Sequence, residues 1–590
     1  MTNMAALMSI MGERNAKIKF KTLAKIKYMS LTGKIAAIFL YVLTCCSDLS
    51  AQLSLQETNW SGGLQLSFTH DSLLVSDPAT KQLITIFIYK QKDDTLFVAN
   101  PGKVGNCGAE AGIYRVQFQR RGQQVSFTTI RDSCVELHSL FIPSLLFTFI
   151  HREGEAARDW SALDPAADSI AGTGLYKAYE LLKGRASTPV IVAVIDNGVD
   201  IEHQDLKDVI WTNTKEIPGN GIDDDHNGYV DDMHGWNFRG IEDGTIVENE
   251  QAEATHIYTI WKKKYDDVDS GKLKGQEKKN WEMYTKAKKV YLDKIKESKD
   301  SFELKFAYNT HYNSSDLIGD NPANPTERYY GSPLMRLSPD LSHGTHVAGI
   351  IGARSKNGTG INGIADNVLI MPLVATTAGG DERDKDVANA IRYAVDNGAR
   401  VINFSFSKPF SAYKTVVDDA IRYAERKDVL IVHSAGNDGD DNDTANHYPI
   451  AIYENGEKAS NFIAVGWSRP LFNYRLAHPN SDYGKRNVDL FAPGSDIFST
   501  VPGNGYDFKS GSSMSAPCVS GIAALLFSYF PTLSAAQVKD ILLRSSFRPD
   551  IMVNRPGSTI KVPFSSLSVS GGIVNAYNAI AMAIKMTERK

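Results

Sequence analysis

The sequence predicts an α/β fold: a parallel sheet with helices on both faces, preceded by a small all-β domain and carrying an inserted helical hairpin. Three observations carry this. From about residue 170, short apolar runs alternate with amphipathic stretches, the pattern of buried parallel strands and their covering helices. Residues 53–150 instead hold short alternating runs bounded by Gly, Asp, Asn and Pro, which read as strands with tight turns. Residues 250–310 are rich in Lys, Asp and Glu and space their aromatic residues as helices do.

The first 51 residues read as a leader. Lys34 precedes the apolar run 35–43, and Leu49-Ser50-Ala51 ends it on a small residue, the layout of an export signal. The run is too short for a membrane span. Met29 is an alternative start. Cys45 and Cys46 permit a second reading, a lipid anchor, although Thr44 and Cys45 are poor residues to precede a modified cysteine. Cleavage near Ala51 is the reading taken. The chain is then expected in the periplasm, on the outer surface or outside the cell.

Net charge over the 590 residues is −4. The leader holds seven Lys/Arg against two Asp/Glu, so the remainder carries −9. Nothing in that balance suits nucleic acid, whose partners are normally basic. The chain without its leader keeps Cys107, Cys134 and Cys518. Export permits disulfides, and Cys107 and Cys134 either pair or stand as two buried thiols. Cys518 lies inside an apolar stretch and reads as core packing.

Runs at 64–68, 83–88 and 114–118 make residues 53–150 a small β-barrel or β-sandwich domain. Trp60 with Gly62, Cys107 with Gly112-Ile-Tyr114, and Asp132-Ser-Cys134 together resemble small lipocalin-like barrels of secreted bacterial proteins. Residues 170–588 form the α/β domain. Its strands are expected at 190–195, 368–374, 401–404, 429–432, 462–465 and 488–491, with Val387, Ile391, Ala394 and Val395 as a helical stripe between two of them. The insertion spans 245–315. Ile257, Trp261, Tyr265 and Val268 form one helical face; Trp281, Tyr284, Lys288, Tyr291 and Ile295 form a second, with a turn at 271–275. Its charges read as a solvated face, with partner binding or substrate gating as the alternative.

Three segments concentrate the chemistry: Val-Ile-Asp-Asn-Gly at 194–198, His-Gly-Thr-His-Val-Ala-Gly at 343–349 and Gly-Ser-Ser-Met-Ser-Ala-Pro at 511–517. Asp196 ends an apolar strand, where the reactive groups of open α/β sheets gather; alone it would read as a helix cap. His343 opens a helix whose Gly344, Ala348 and Gly349 allow close packing. His346, one turn on, reads as structural. Ser513 stands where an apolar helix begins, and there free N–H groups and the helix dipole favour negative charge. A carboxylate, an imidazole and a hydroxyl are the parts of a serine nucleophile, its base and the base's orienter. A fourth segment, Ser-Ala-Gly-Asn-Asp-Gly at 434–439, presents Asn437. Its amide and the Ser513 N–H would be two donors for an oxyanion.

Residues from about 170 to 585 resemble the subtilisin-like serine proteases, the subtilases. Asp196, His343, Asn437 and Ser513 match the family's Asp, His-Gly-Thr-His, Ala-Gly-Asn and Gly-Thr-Ser-Met segments, in the family's chain order. Residues 401–407 resemble the strand that lines the pocket for the residue before the scissile bond, and Asp-Leu-Phe-Ala-Pro-Gly at 489–494 also fits. The resemblance implies hydrolysis of polypeptide substrates, with Asp196, His343, Ser513 and Asn437 catalytic. It implies substrate binding at Ser405, Phe406, Ser407, Ser434, Ala435 and Gly436, and no cofactor for the chemistry. A monomer is expected. Four departures stand out: Ser512 where Thr is usual, Ser407 where Gly is usual, Cys518 where His or Val is usual, and a long Asp196–His343 interval holding the insertion.

Asp223, Asp225, Asn227, the Tyr229 carbonyl and Asp231 place oxygen donors at alternate positions around Gly228, the first nine positions of a calcium loop. His234 stands at the twelfth, where Glu is needed, so a complete EF-hand is excluded. A structural calcium and an Asx-rich turn closed by its own hydrogen bonds are the two readings. Three functions are weighed: an exported endopeptidase, a silent relative that binds peptides, and a protease narrowed to one partner. Four chemical residues present together favour the first; the charged insertion and Ser407 suit the third.

Overall fold

The computed structural model describes strand backbones between residues 59 and 149, and residues 158–588 apart from 242, 323, 335–340, 355–359 and 377–379. The leader, Cys45, Cys46, Cys107 and Cys134 lie outside the described residues. The chain divides into two compact units, Met1–Ala157 and Arg158–Lys590.

The first unit holds β1 (Asn59–Ser61), β2 (Gln65–Phe68), β3 (Ser72–Ser76), β4 (Leu83–Lys92), β5 (Thr95–Ala99), β6 (Gly112–Gln119), β7 (Gln124–Arg131) and β8 (Phe147–Phe149). They close into a barrel in sequence order. Trp60 in β1 sits opposite Leu66 in β2 and Phe149 in β8, all antiparallel. Closure leaves no free strand edge.

The second unit is built on a parallel sheet of β9 (Val190–Asp196), β10 (Trp236–Asn237), β11 (Val368–Val374), β12 (Val401–Phe404), β13 (Leu430–Ser434), β14 (Phe462–Ser468) and β15 (Leu490–Pro493). The spatial order is β10-β11-β9-β12-β13-β14-β15. β9 lies between β11 and β12, so the winding changes direction there, and a crevice opens outside the carboxyl ends of the strands. Asp196 is the last residue of β9, level with Val374 of β11. Every residue of β13 and β14 is buried, as a sheet covered on both faces requires.

The helices are α1 (Leu175–Leu182), α2 (Glu253–Tyr265), α3 (Gly275–Glu297), α4 (Ser342–Gly352), α5 (Asp384–Asp396), α6 (Lys414–Arg426), α7 (Ser512–Tyr529), α8 (Ala535–Ser545) and α9 (Ala576–Thr587), with short helical turns besides. On one face, Val387, Ile391 and Ala394 of α5 join Val417 and Ile421 of α6 over Ile195, Ile402, Phe404 and Ile431. On the other, α4 and α7 lie against the sheet and each other. α7 is long and apolar enough by length and composition to cross a membrane, yet 89% of it is buried within this unit. The sheet accounts for that apolarity.

α2 and α3 form the inserted pair. Ala254, Ile257 and Tyr265 pack with Tyr284 and Ala287, and Phe410 of the sheet domain closes the cluster. Lys288 interrupts the apolar face because it is paired with Asp266, which also accepts from Tyr284 Oη at 2.6 Å. Val268 falls outside the helical face: α2 ends at Tyr265, and Val268 is exposed in the following turn.

Candidate active site

Asp196, at the carboxyl end of β9, is buried. Its Oδ1 accepts from the N–H of Asn197 at 2.8 Å and from His343 Nδ1 at 2.8 Å. The other oxygen, Oδ2, is buried without a hydrogen-bond partner among the described residues. A buried carboxylate so placed gains when positive charge forms on the neighbouring imidazole.

His343 stands in the first turn of α4, half-exposed toward the crevice. Gly344 makes the approach possible. A Cβ there would lie 2.2 Å from the Gly198 carbonyl oxygen and 3.1 Å from Asp196 Cβ, so any side chain would push the helix off the β9 turn. The Gly344 N–H donates to Asn197 Oδ1 at 3.0 Å, fixing the helix start. His346 stands one turn on in the same helix. It is buried, with Nε2 bonded to the carbonyls of Ile497 and Asp507 at 3.0 and 3.1 Å, and desolvation pushes its imidazole down to about 3.

Ser513 is in the first turn of α7. Its Oγ donates to the Ser405 carbonyl at 2.9 Å, and Ser405 Oγ donates back to the Ser513 carbonyl at 2.9 Å. Asn403 Nδ2 donates to Ser405 Oγ, and Ser520 Oγ to Asn403 Oδ1, at 2.9 and 2.8 Å. Asn403 and Ser520 escape sequence reading because polar residues within a buried strand and an apolar helix carry no motif. Only the fold pairs them, and pairing removes the cost of burying them. Cys518, deeper in α7, is buried, its thiol pushed up to about 12 by desolvation.

Asn437 follows β13 and is exposed. Its Oδ1 accepts from Ser512 N–H at 2.9 Å and Ser512 Oγ at 3.0 Å. With the oxygen held there, the NH2 end is the donor left over. A Cβ placed on Gly511 would lie 3.7 Å from Ser513 N and 3.8 Å from Asn437 Nδ2, so both nitrogens lie near Gly511. Ser512, a departure from Thr, keeps the hydroxyl that this contact uses.

The segments after β12 and β13 run side by side. His433 Nε2 donates to the Phe406 carbonyl at 2.9 Å, and Ser434 Oγ reaches the same oxygen at 3.4 Å. Ser405, Ser434, Ala435 and Gly436 are buried there; Phe406 and Ser407 are half-exposed.

Two residues of the 223–231 loop converge, and they do so with a third from outside it. Asp223 and Asp225 gather with Glu216, a residue the loop pattern did not contain, with one carboxylate oxygen of each within 4.8 Å of the others. Asp231 turns away, its oxygens accepting from the N–H groups of Gly219, Asn220 and Gly221. Asn227 accepts from Tyr229 N–H and donates to Asp232. Asp223 accepts from the N–H of Asn227 and Gly228. These are the bonds of an Asx turn.

The sequence profile of the subtilase family, Peptidase S8, matches residues 187–564. The chain is 42% identical over 187 residues to the thermophilic serine proteinase of Bacillus sp. (strain AK1), covering 32% of this chain and 43% of that one. Subtilisin-like protease 1 of Plasmodium falciparum (isolate 3D7) is 27% identical over 383 residues, 62% of this chain and 41% of that one. Subtilisin DY of Bacillus licheniformis is 34% identical over 201 residues, 34% of this chain and 68% of that one. The chain thus spans less than half the length of the first two relatives. Among solved structures, a protease from Pseudoalteromonas arctica aligns over 73% of this chain and all of that one, at 22% identity and a TM-score of 0.41. With the profile matching well over half of its residues, the chain belongs to the subtilase family.

Proposed function

We propose that this protein is an exported serine endopeptidase that hydrolyses peptide bonds with Ser513 as nucleophile, His343 as base and Asp196 as the base's orienter. The observation that carries this is the 2.8 Å bond from His343 Nδ1 to Asp196, at the strand edge where α7 also delivers Ser513. With its Nδ1–H given to Asp196, His343 has one tautomer, and Nε2 carries the lone pair that takes a proton.

Ser513 Oγ leaves the Ser405 carbonyl by rotation about χ1, passes its proton to His343 Nε2 and attacks the substrate carbonyl. The oxygen that becomes negative is taken by Asn437 Nδ2 and the Ser513 N–H, at the positive end of α7. The imidazolium, held against buried Asp196, protonates the leaving amine. Water then enters by the same base and releases the acyl group. The triad supplies nucleophile and base, so these steps need no metal.

The substrate is an extended polypeptide lying between 405–407 and 434–436. Ser407 places a side chain where the pocket usually has only a Cα hydrogen, which narrows the room for the residue before the scissile bond. Export rests on the leader at 1–51.

A fluorophosphonate probe tests the class. The full chain should take one label, mapped by mass spectrometry to Ser513, and Ser513→Ala should take none. Well-folded wild-type protein that resists the probe and cleaves no unfolded polypeptide would favour the silent peptide-binding reading.

A further inference from the structure

The loop that presents Asn437 is gripped by a residue outside the triad. Asp482 lies in the connection between β14 and β15 and is buried. Its N–H donates to the Gly436 carbonyl at 3.2 Å. Its Oδ1 accepts two backbone N–H groups, from Asp438 and Asp440, each at 2.9 Å. Backbone and side chain of one residue therefore hold the chain on both sides of Asn437.

The grip is close. Gly436 has φ +120°, and a Cβ there would lie 2.0 Å from Asp482 Oδ2 and 3.2 Å from His447 Nδ1. That Oδ2 is 3.1 Å from His447 Nε2. Both atoms are buried, and neither has a hydrogen-bond partner elsewhere among the described residues. Asp440 Oδ2 approaches the same nitrogen at 3.4 Å, and Asp438 Oδ2 approaches Nδ1 at 3.7 Å. His447 thus stands behind Asp482, with a ring nitrogen beside the oxygen that does not hold the loop. Asn437 itself is exposed, and its NH2 end has no protein acceptor among the described residues to aim it.

We propose that Asp482, backed by His447, is a positioning residue for the oxyanion hole: it fixes the backbone flanking Asn437 so that the amide is aimed before substrate arrives. This rests on the endopeptidase reading above. A preset donor stabilises the transition state without reorganising, and displacement by 1 Å costs about a hundredfold in rate. Removing the carboxylate frees two N–H groups and lets the loop drift. An Asn at 482 would still accept both through its Oδ1.

The test is a double-mutant cycle on a peptide substrate, with kcat and KM measured separately. Asp482→Ala should lower kcat by about 10- to 100-fold, with KM moved by less than about threefold. Asp482→Asn should restore kcat to within about fivefold of wild type. In an Asn437→Ala background, adding Asp482→Ala should change kcat by less than about threefold, because the group it aims is gone. An equal loss in both backgrounds would make Asp482 merely structural and overturn the proposal, as would a loss confined to KM or no loss. Since Asp438, His447 and Asp482 also fall within metal-ligand reach of one another, a kcat abolished by chelation and restored by zinc would overturn it too, provided that Asp482→Ala protein no longer responds to zinc. Should Asp482→Ala fail to fold, His447→Ala takes its place, with a smaller loss of kcat that is likewise silent without Asn437. Wild-type protein that neither labels at Ser513 nor turns over fails the endopeptidase reading instead.

Discussion

Asn437 shows how much a single side chain depends on its neighbours. Alone it is an exposed loop residue; its worth under the proposed mechanism comes from Ser512 holding its oxygen and from the Ser513 N–H acting as the second donor. Asn437→Ala should raise the barrier by about 2.7–4 kcal/mol, the range for an oxyanion-hole asparagine in subtilisin. The loss should fall on kcat, read by steady-state kinetics. Two buried histidines give a second expectation. Desolvation pushes His346 and His433 down to about 3 each, whereas in the unfolded chain both titrate near 6.5. As pH falls below about 6.5 the unfolded chain takes up protons that the folded chain refuses. Their contribution to stability is therefore complete above that pH and is lost toward pH 3, at about 1.4 kcal/mol per pH unit for each. Denaturant unfolding of Ser513→Ala protein between pH 7.5 and 4.5 checks this. His433→Gln, which keeps a donor for the Phe406 carbonyl, should remove one histidine's share of the slope.

At the scale of elements, the insertion is tied to the sheet domain by one buried ammonium. Lys408 follows the segment 405–407 and is 2% exposed. Its Nζ lies 2.9 Å from Asp384 Oδ1 at the start of α5 and 3.1 Å from Glu253 Oε2 at the start of α2, and it donates to the Glu382 carbonyl at 2.7 Å. Glu253 also accepts from the Ala412 N–H at 2.8 Å. Removing one partner of a buried ionic group strands the others, at about 3–5 kcal/mol. Lys408→Met should therefore lower stability by about that amount in denaturant unfolding. It should also speed proteolytic cutting between α2 and α3, because the foot of α2 loses its anchor. The sequence announced helices here through aromatic spacing and said nothing of the tether. A lone lysine after Phe-Ser reads as surface, and only the arrival of Asp384 and Glu253 around it makes burial affordable.

For the molecule as a whole, the sheet order decides where chemistry can occur. β9 sits at the reversal of winding, and Asp196, Ser405 and Asn437 leave three different strands at the same carboxyl edge, while α4 and α7 bring in His343 and Ser513. Strand runs of Val, Ile and Ala, buried on both faces, were readable because a covered parallel strand has no reason to alternate. β10 was not: two residues, Trp236 and Asn237, are too few to make a pattern, and they pair with β11 only because the sheet is already there. The 223–231 loop was legible as a turn rich in oxygen donors, but which oxygens meet was not. Backbone N–H groups compete for the same carboxylates, and Glu216 enters from outside the motif.

By itself the sequence determined the alternation of strand and helix, the family, and which side chains carry an acidic, basic or nucleophilic atom, because these follow from residue type and local spacing. Only the tertiary structure decided who stands behind them: Ser512 against Asn437, Asn403 and Ser520 beneath Ser405, Asp482 around the Asn437 loop, Lys408 under the insertion. Each of these is a buried polar group whose partner is scores of residues away or hidden in an apolar stretch. Desolvation makes such pairs obligatory once the chain is folded, and nothing in the local sequence records them.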